Sequence, residues 1–142
     1  MHPNKIVVIS SFPPRKCGIA TYSQDLIQAI EDKYNDSFSV NVCALEKANS
    51  SFNYPSEVKY KLNTSDQKDY TRLAKELNAD DAVKIIYLQH EFGLFDGHLG
   101  AYILDFLGVD TYVIELVQPY LTFTFELYHF YGLCGLLGAV AG

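Results

Sequence analysis

Ile6-Val7-Val8-Ile9 is an unbroken run of β-branched residues, bounded by Ser10-Ser11 and then by Pro13-Pro14. A strand with no polar face must be covered on both sides, the condition met by strands in a parallel sheet. From Ile19 the period changes. Ile19, Tyr22, Leu26, Ile27, Ile30 and Tyr34 fall at helical spacing, while Gln24, Asp25, Gln28, Glu31 and Asp32 take the opposite face. Asn35-Asp36-Ser37 ends that helix. A second strand is predicted over about 38–45, where Phe38, Val40 and Val42 alternate with Ser39 and Asn41 before the apolar Val42-Cys43-Ala44-Leu45. Strand, helix and strand make one βαβ unit.

The alternation continues. Residues 46–56 are polar around Pro55 and read as loop, and 58–62 reads as a short third strand. Tyr70, Leu73, Ala74 and Leu77 mark a second amphipathic helix. Asp66 and Asp69 before it suit its N-cap and first turn, and Asn78-Ala79-Asp80-Asp81 closes it. Val83 to Leu88 is another buried strand, a helix is predicted over about 99–107, and 112–117 reads as one more strand. Strands alternating with helices through short connections imply an α/β fold with a doubly wound, mostly parallel sheet, whose ligands sit at the carboxyl ends of the strands.

A chain of 142 residues holds one such domain and is too short for two nucleotide-binding domains of roughly 150 residues each. Its net charge of -6 attracts neither nucleic acid nor an anionic membrane surface. Cys17, Cys43 and Cys134 form no C-x-x-C pair and are odd in number, which argues for a reducing compartment without structural disulfides or zinc. The N-terminus runs directly into the first strand without a signal-peptide pattern, so a cytoplasmic protein is expected, and the sequons at Asn35, Asn49 and Asn63 read as chance. The composition changes after Leu107. All 11 Lys and Arg residues lie at or before Lys84, and residues 108–142 carry only Asp110, Glu115 and Glu126 as charges. The expected division is therefore an α/β domain over 1–107 and an apolar tail over 108–142. The longest uncharged stretch of that tail, Leu127 to Gly142, is shorter than the roughly 20 residues that span a bilayer and is weakened by glycines, which disfavours a membrane anchor.

Two places carry candidate chemistry. The loop Phe12-Pro13-Pro14-Arg15-Lys16-Cys17-Gly18 joins the first buried strand to a helix. Free backbone N–H groups and the positive end of a helix dipole there bind phosphate without a dedicated side chain. Gly18 lets a ligand approach the backbone, with Arg15 and Lys16 as neighbouring cations. Neither G-x-G-x-x-G nor G-x-x-x-x-G-K-[ST] is present, which excludes simple dinucleotide and P-loop readings. On local pattern alone the same residues also read as a stiff turn, a tight-turn glycine and a solvated cation pair. The second place is His90-Glu91 at the end of the fourth strand, where a histidine bonds a sugar hydroxyl, supports developing charge, or simply bonds backbone. His90, Glu91, Asp96 and His98 have no standard metal-ligand spacing, so no metal is expected.

The combination is more specific than its parts. Ser10-Ser11-Phe12-Pro13-Pro14-Arg15-Lys16-Cys17-Gly18-Ile19-Ala20-Thr21-Tyr22, then Asp25-Leu26, then Leu88-Gln89-His90-Glu91-Phe92-Gly93-Leu94-Phe95 with Gly97 and Gly100-Ala101-Tyr102-Ile103-Leu104, resembles the amino-terminal domain of bacterial family 4 glycosyltransferases over about residues 5–107. The resemblance implies a Rossmann-like half of a GT-B fold. It also implies a hexosyl transfer with retention from a nucleotide sugar to a glycan or other acceptor, without cofactor or metal. It implies that Gly18 faces the donor diphosphate, that His90 is catalytic on the reacting-sugar side, and that Arg15 and Glu91 bind substrate. The chain departs from the family twice. No threonine-histidine loop follows Leu107, and the donor-binding domain with its paired glutamates is absent. A truncated or frame-shifted product, inactive alone, is the expectation. A non-catalytic sugar- or nucleotide-binding module and a small membrane-associated protein are the alternatives.

Overall fold

The computed structural model describes residues 4–90, 93–109 and 113–117. Strand β1 (Asn4–Ser10) is followed by helix α1 (Gly18–Tyr34), β2 (Phe38–Glu46), β3 (Val58–Asn63), α2 (Gln67–Asn78), β4 (Val83–His90), α3 (Ile103–Leu107) and β5 (Val113–Val117), with a 3-10 turn at His98–Gly100 before α3. The strands form one five-stranded sheet in the order β3-β2-β1-β4-β5, and all four pairings are parallel. The α/β fold expected from the sequence is the one observed.

Why β1 tolerates no polar face is now plain. Ile6 and Val8 pack with Ile27 and Ile30 of α1 and with Ile85 and Tyr87 of β4. Val7 and Ile9 point the other way, into a second core with Leu73 and Leu77 of α2, Ile86 and Leu88 of β4, and Ile103 and Phe106 of α3. Each central strand thus feeds two cores by simple alternation, and each fully buried Ile, Val or Leu contributes about 1.5–3 kcal/mol. Register follows the same logic: Ile9 sits beside Cys43 on one side and beside Leu88 on the other.

The chain lays β2 and β3 on one side of β1 and then crosses back to place β4 on the other. The loops leaving β1 and β4 therefore diverge at the carboxyl edge of the sheet. In open parallel sheets that reversal opens a crevice, where ligands bind.

Two expectations are corrected or extended. The helix predicted over 99–107 is only Ile103–Leu107. Gly97, Leu99 and Gly100 have φ of 88°, 55° and 82°, and left-handed residues cannot continue a right-handed helix. Strand β4 runs to His90, two residues beyond the apolar run, so Gln89 and His90 belong to the ladder itself. Asp66 does cap α2, its side chain accepting from the Lys68 N–H at 3.0 Å. The strand expected over 112–117 is found at Val113–Val117, beyond the 107 boundary, with residue 112 outside the described residues. The remaining tail readings, over 118–142, also lie outside the described residues. Among the described residues no helix is long and apolar enough to cross a membrane.

Candidate functional site

Phe12 is 3% exposed and anchors the β1–α1 loop in the core on the α1 side. The loop then turns tightly, with the Arg15 N–H donating to the Phe12 carbonyl at 3.2 Å, and the Pro13-Pro14 bond is cis. Cys17 precedes the helix in an extended conformation and gives no side-chain cap, and no acidic residue occupies the first turn of α1. The first N–H groups of any helix lack intrahelical acceptors. Here Thr21 N–H donates to the Cys17 carbonyl, which leaves the amides of Gly18 and Ile19 at the accessible end of a 17-residue helix, Ala20 being fully buried. A helix of that length presents roughly half a positive charge at this end.

Gly18 is exposed, and a Cβ built on it meets no atom within 4 Å. Its φ is not left-handed, unlike those of Gly93, Gly97 and Gly100. Neither backbone conformation nor packing calls for glycine at this position, so the tight-turn reading falls away. What the missing side chain leaves is access to the helix amides. The two cations of the loop differ: Arg15 is partly buried and within electrostatic reach of Tyr54, whereas Lys16 is exposed.

On the β4 side, alternation sorts the side chains. Ile86 and Leu88 belong to the α2–α3 core, and His90 continues that face, its ring 5.6 Å from the Phe95 ring at an interplanar angle of 53°. Ile85 and Tyr87 belong to the α1 core, so Gln89 continues toward α1. Burial pushes the Tyr87 phenol well above its ordinary pKa. Ser10 at the end of β1 shares a 2.5 Å hydrogen bond with Ser23 of α1, which ties the strand end to the helix. The Gly18 loop and His90 thus share the carboxyl edge of the sheet, approaching it from its two faces.

Sequence reasoning passed over one residue of this edge. Gln89 is 1% exposed, and neither atom of its amide has a hydrogen-bond partner among the described residues; the same holds for the Ser11 hydroxyl. A polar residue closing the run Ile85-Ile86-Tyr87-Leu88 was the available signal. Buried polar atoms are almost always bonded, so these two are the residues of this edge that apolar packing does not explain. Glu91 lies outside the described residues. Of the rejected metal set, Asp96 accepts from the Ser65 hydroxyl at 2.9 Å and His98 is exposed. Among the described residues no three His, Cys, Asp or Glu side chains converge.

Chemically, this edge is equipped to hold an anion by backbone amides and a dipole, with an arginine nearby and an imidazole across the sheet end. No family model, curated protein or solved structure matches the chain.

Proposed function

We propose that the α/β unit is the acceptor-side, Rossmann-like half of a cytoplasmic GT-B glycosyltransferase of the family 4 type, acting on a nucleotide sugar together with a separate donor-binding domain. The observation that carries the reading is the uncapped, unobstructed start of α1 at Gly18, on the same sheet edge as His90. In a retaining transfer the diphosphate leaving group gains negative charge as its bond to the anomeric carbon breaks. Amides fixed at a helix end stabilise that charge without reorganising. Gly18 and Ile19 supply such amides. Arg15 adds a positive field from the loop, and His90 donates a hydrogen bond to a hydroxyl of the reacting sugar.

Half a cleft does not catalyse. Much of the barrier reduction in group transfer comes from holding donor and acceptor together in a water-poor site, and one wall provides neither. The isolated 142-residue chain is therefore expected to turn over no nucleotide sugar. Supplying a family 4 donor-binding domain, as a fusion or a second chain, is expected to produce hexosyl transfer with retention, abolished by His90→Ala. Turnover by the isolated chain refutes the half-cleft argument. Transfer that survives His90→Ala removes the role given to that residue. Tight sugar or nucleotide binding with no transfer in any combination favours the non-catalytic module instead.

A further inference from the structure

The imidazole of His90 is the half-buried end of a series of aromatic contacts. Its neighbour Phe95 is 3% exposed, and the Phe95 ring stands edge-on to the ring of Tyr70 of α2, with centroids 6.3 Å apart. Tyr70 stands edge-on in turn to Tyr102, at 6.0 Å. Tyr70 is fully buried, and its hydroxyl donates to the Thr64 carbonyl at 3.0 Å. Tilted and edge-to-face pairs are the arrangements that aromatic rings prefer, so each ring sets the angle of the next. The series runs from the turn between β3 and α2 to the end of β4.

The segment that carries Phe95 is held from both sides. Asp96 accepts from the Ser65 hydroxyl at 2.9 Å through its carboxylate and from the Tyr102 N–H at 3.2 Å through its carbonyl. Gly97 follows with φ +88°, and the Tyr102 ring lies so close to its backbone that a Cβ there would be 2.6 Å away. Phe95 is therefore fixed by its own ring partner and by the bonds of the next residue. Filling the α2–α3 core asks only for apolar volume at residue 95, which leucine also supplies. The contact with a half-buried imidazole asks for a ring. A histidine at a strand end has several staggered rotamers open to it, and a fixed ring against one side removes some of them before any ligand arrives.

We infer that Phe95, seated on Tyr70, is a positioning residue that holds the His90 imidazole in one rotamer at the carboxyl edge of the sheet. The inference rests on the transferase reading only for what His90 then does: an imidazole already oriented meets the reacting sugar without ordering itself first.

The test reads the rotamer directly, from the Hα–Hβ couplings of His90 in NMR spectra of the full chain without ligand. Wild type is expected to show the couplings of a single staggered χ1 rotamer, and folded Phe95→Leu the intermediate couplings of an averaged side chain. Loss of core packing alone would lower Tm and leave the His90 couplings of the folded protein as they were. Phe95→Met, which fills the space without a ring, serves should the leucine variant fail to fold. Averaged couplings in wild type, or a single rotamer retained in the folded variant, overturn the inference. Because no sugar is present, that result is independent of the transferase reading, whose own failure shows as no transfer by wild type fused to a donor-binding domain. In an active fusion, Phe95→Leu is expected to lower kcat about tenfold or more with KM for the nucleotide sugar nearly unchanged. An increase in KM with kcat unchanged also overturns the positioning role.

Discussion

Replacing Gln89 with methionine, its nearest apolar isostere, is expected to stabilise the protein. Gln89 is 1% exposed between β1 and β5, and both atoms of its amide lack partners among the described residues. A buried polar atom left unbonded costs about 1–3 kcal/mol. Removing two such atoms while keeping the volume therefore recovers about 2–6 kcal/mol, less about 1 kcal/mol for imperfect repacking. At the lower end of that range the expected net gain is about 1–2 kcal/mol, equivalent to roughly 4–8 °C in Tm at about 4 °C per kcal/mol for a domain of this size. Urea unfolding followed by far-UV circular dichroism, with an unchanged m-value, is the suitable assay. A variant less stable than wild type by about 1 kcal/mol or more shows that the amide is hydrogen-bonded in the native protein, and the reasoning fails.

Other consequences are as concrete. Gly18→Ala is expected to raise stability by about 0.4–1 kcal/mol, since the added methyl meets open space and restricts only the unfolded chain; a measurable loss of stability would expose packing at Gly18. Gly97→Ala is expected to cost about 2 kcal/mol or more, because φ is +88° and the new Cβ would lie 2.6 Å from the Tyr102 ring; an unchanged Tm contradicts the left-handed turn. Burial works against ionisation of Asp69, but hydrogen bonds from Arg72 and the Asn63 N–H outweigh it and hold its carboxyl below the ordinary value of 3.8. A lowered folded pKa means that this contribution is fully present above 3.8 and is lost as pH falls through the folded value. Asp69→Asn should therefore destabilise the protein at neutral pH and flatten the acid limb of a pH–stability curve; parallel curves for the two proteins would contradict this.

How much of this was legible in the sequence depends on the kind of interaction. The unbroken run at 6–9 and the run at 85–88, which follows Val83 and Lys84, announced strands buried on both faces because apolar contact is additive and needs no fine geometry. The Asp66 cap was legible for a similar reason, being a side-chain bond between near neighbours. The helix over 99–107 was not, because Ile103, Phe106 and Leu107 keep helical spacing while three left-handed residues upstream stop the backbone. Gly18 was visible as part of a loop. That its helix start is uncapped depends on the extended backbone and silent side chain of Cys17, which no residue pattern encodes. Glu46 was hidden in a stretch read as loop, since only strand register, pairing Ala44 with Lys61, brings Lys61 within 3.5 Å of it.

The central claim is that the open start of α1 receives a diphosphate. Amide NMR of the full chain, titrated with a uridine or guanosine diphosphate sugar and in parallel with inorganic sulfate as a nonspecific anion, measures this directly. The account predicts saturable shifts at Gly18 and Ile19 with the nucleotide sugar, stronger than with sulfate and weakened about tenfold or more by Gly18→Val. Shifts scattered over the lysine-bearing surface, or no shift at those two amides, would contradict it.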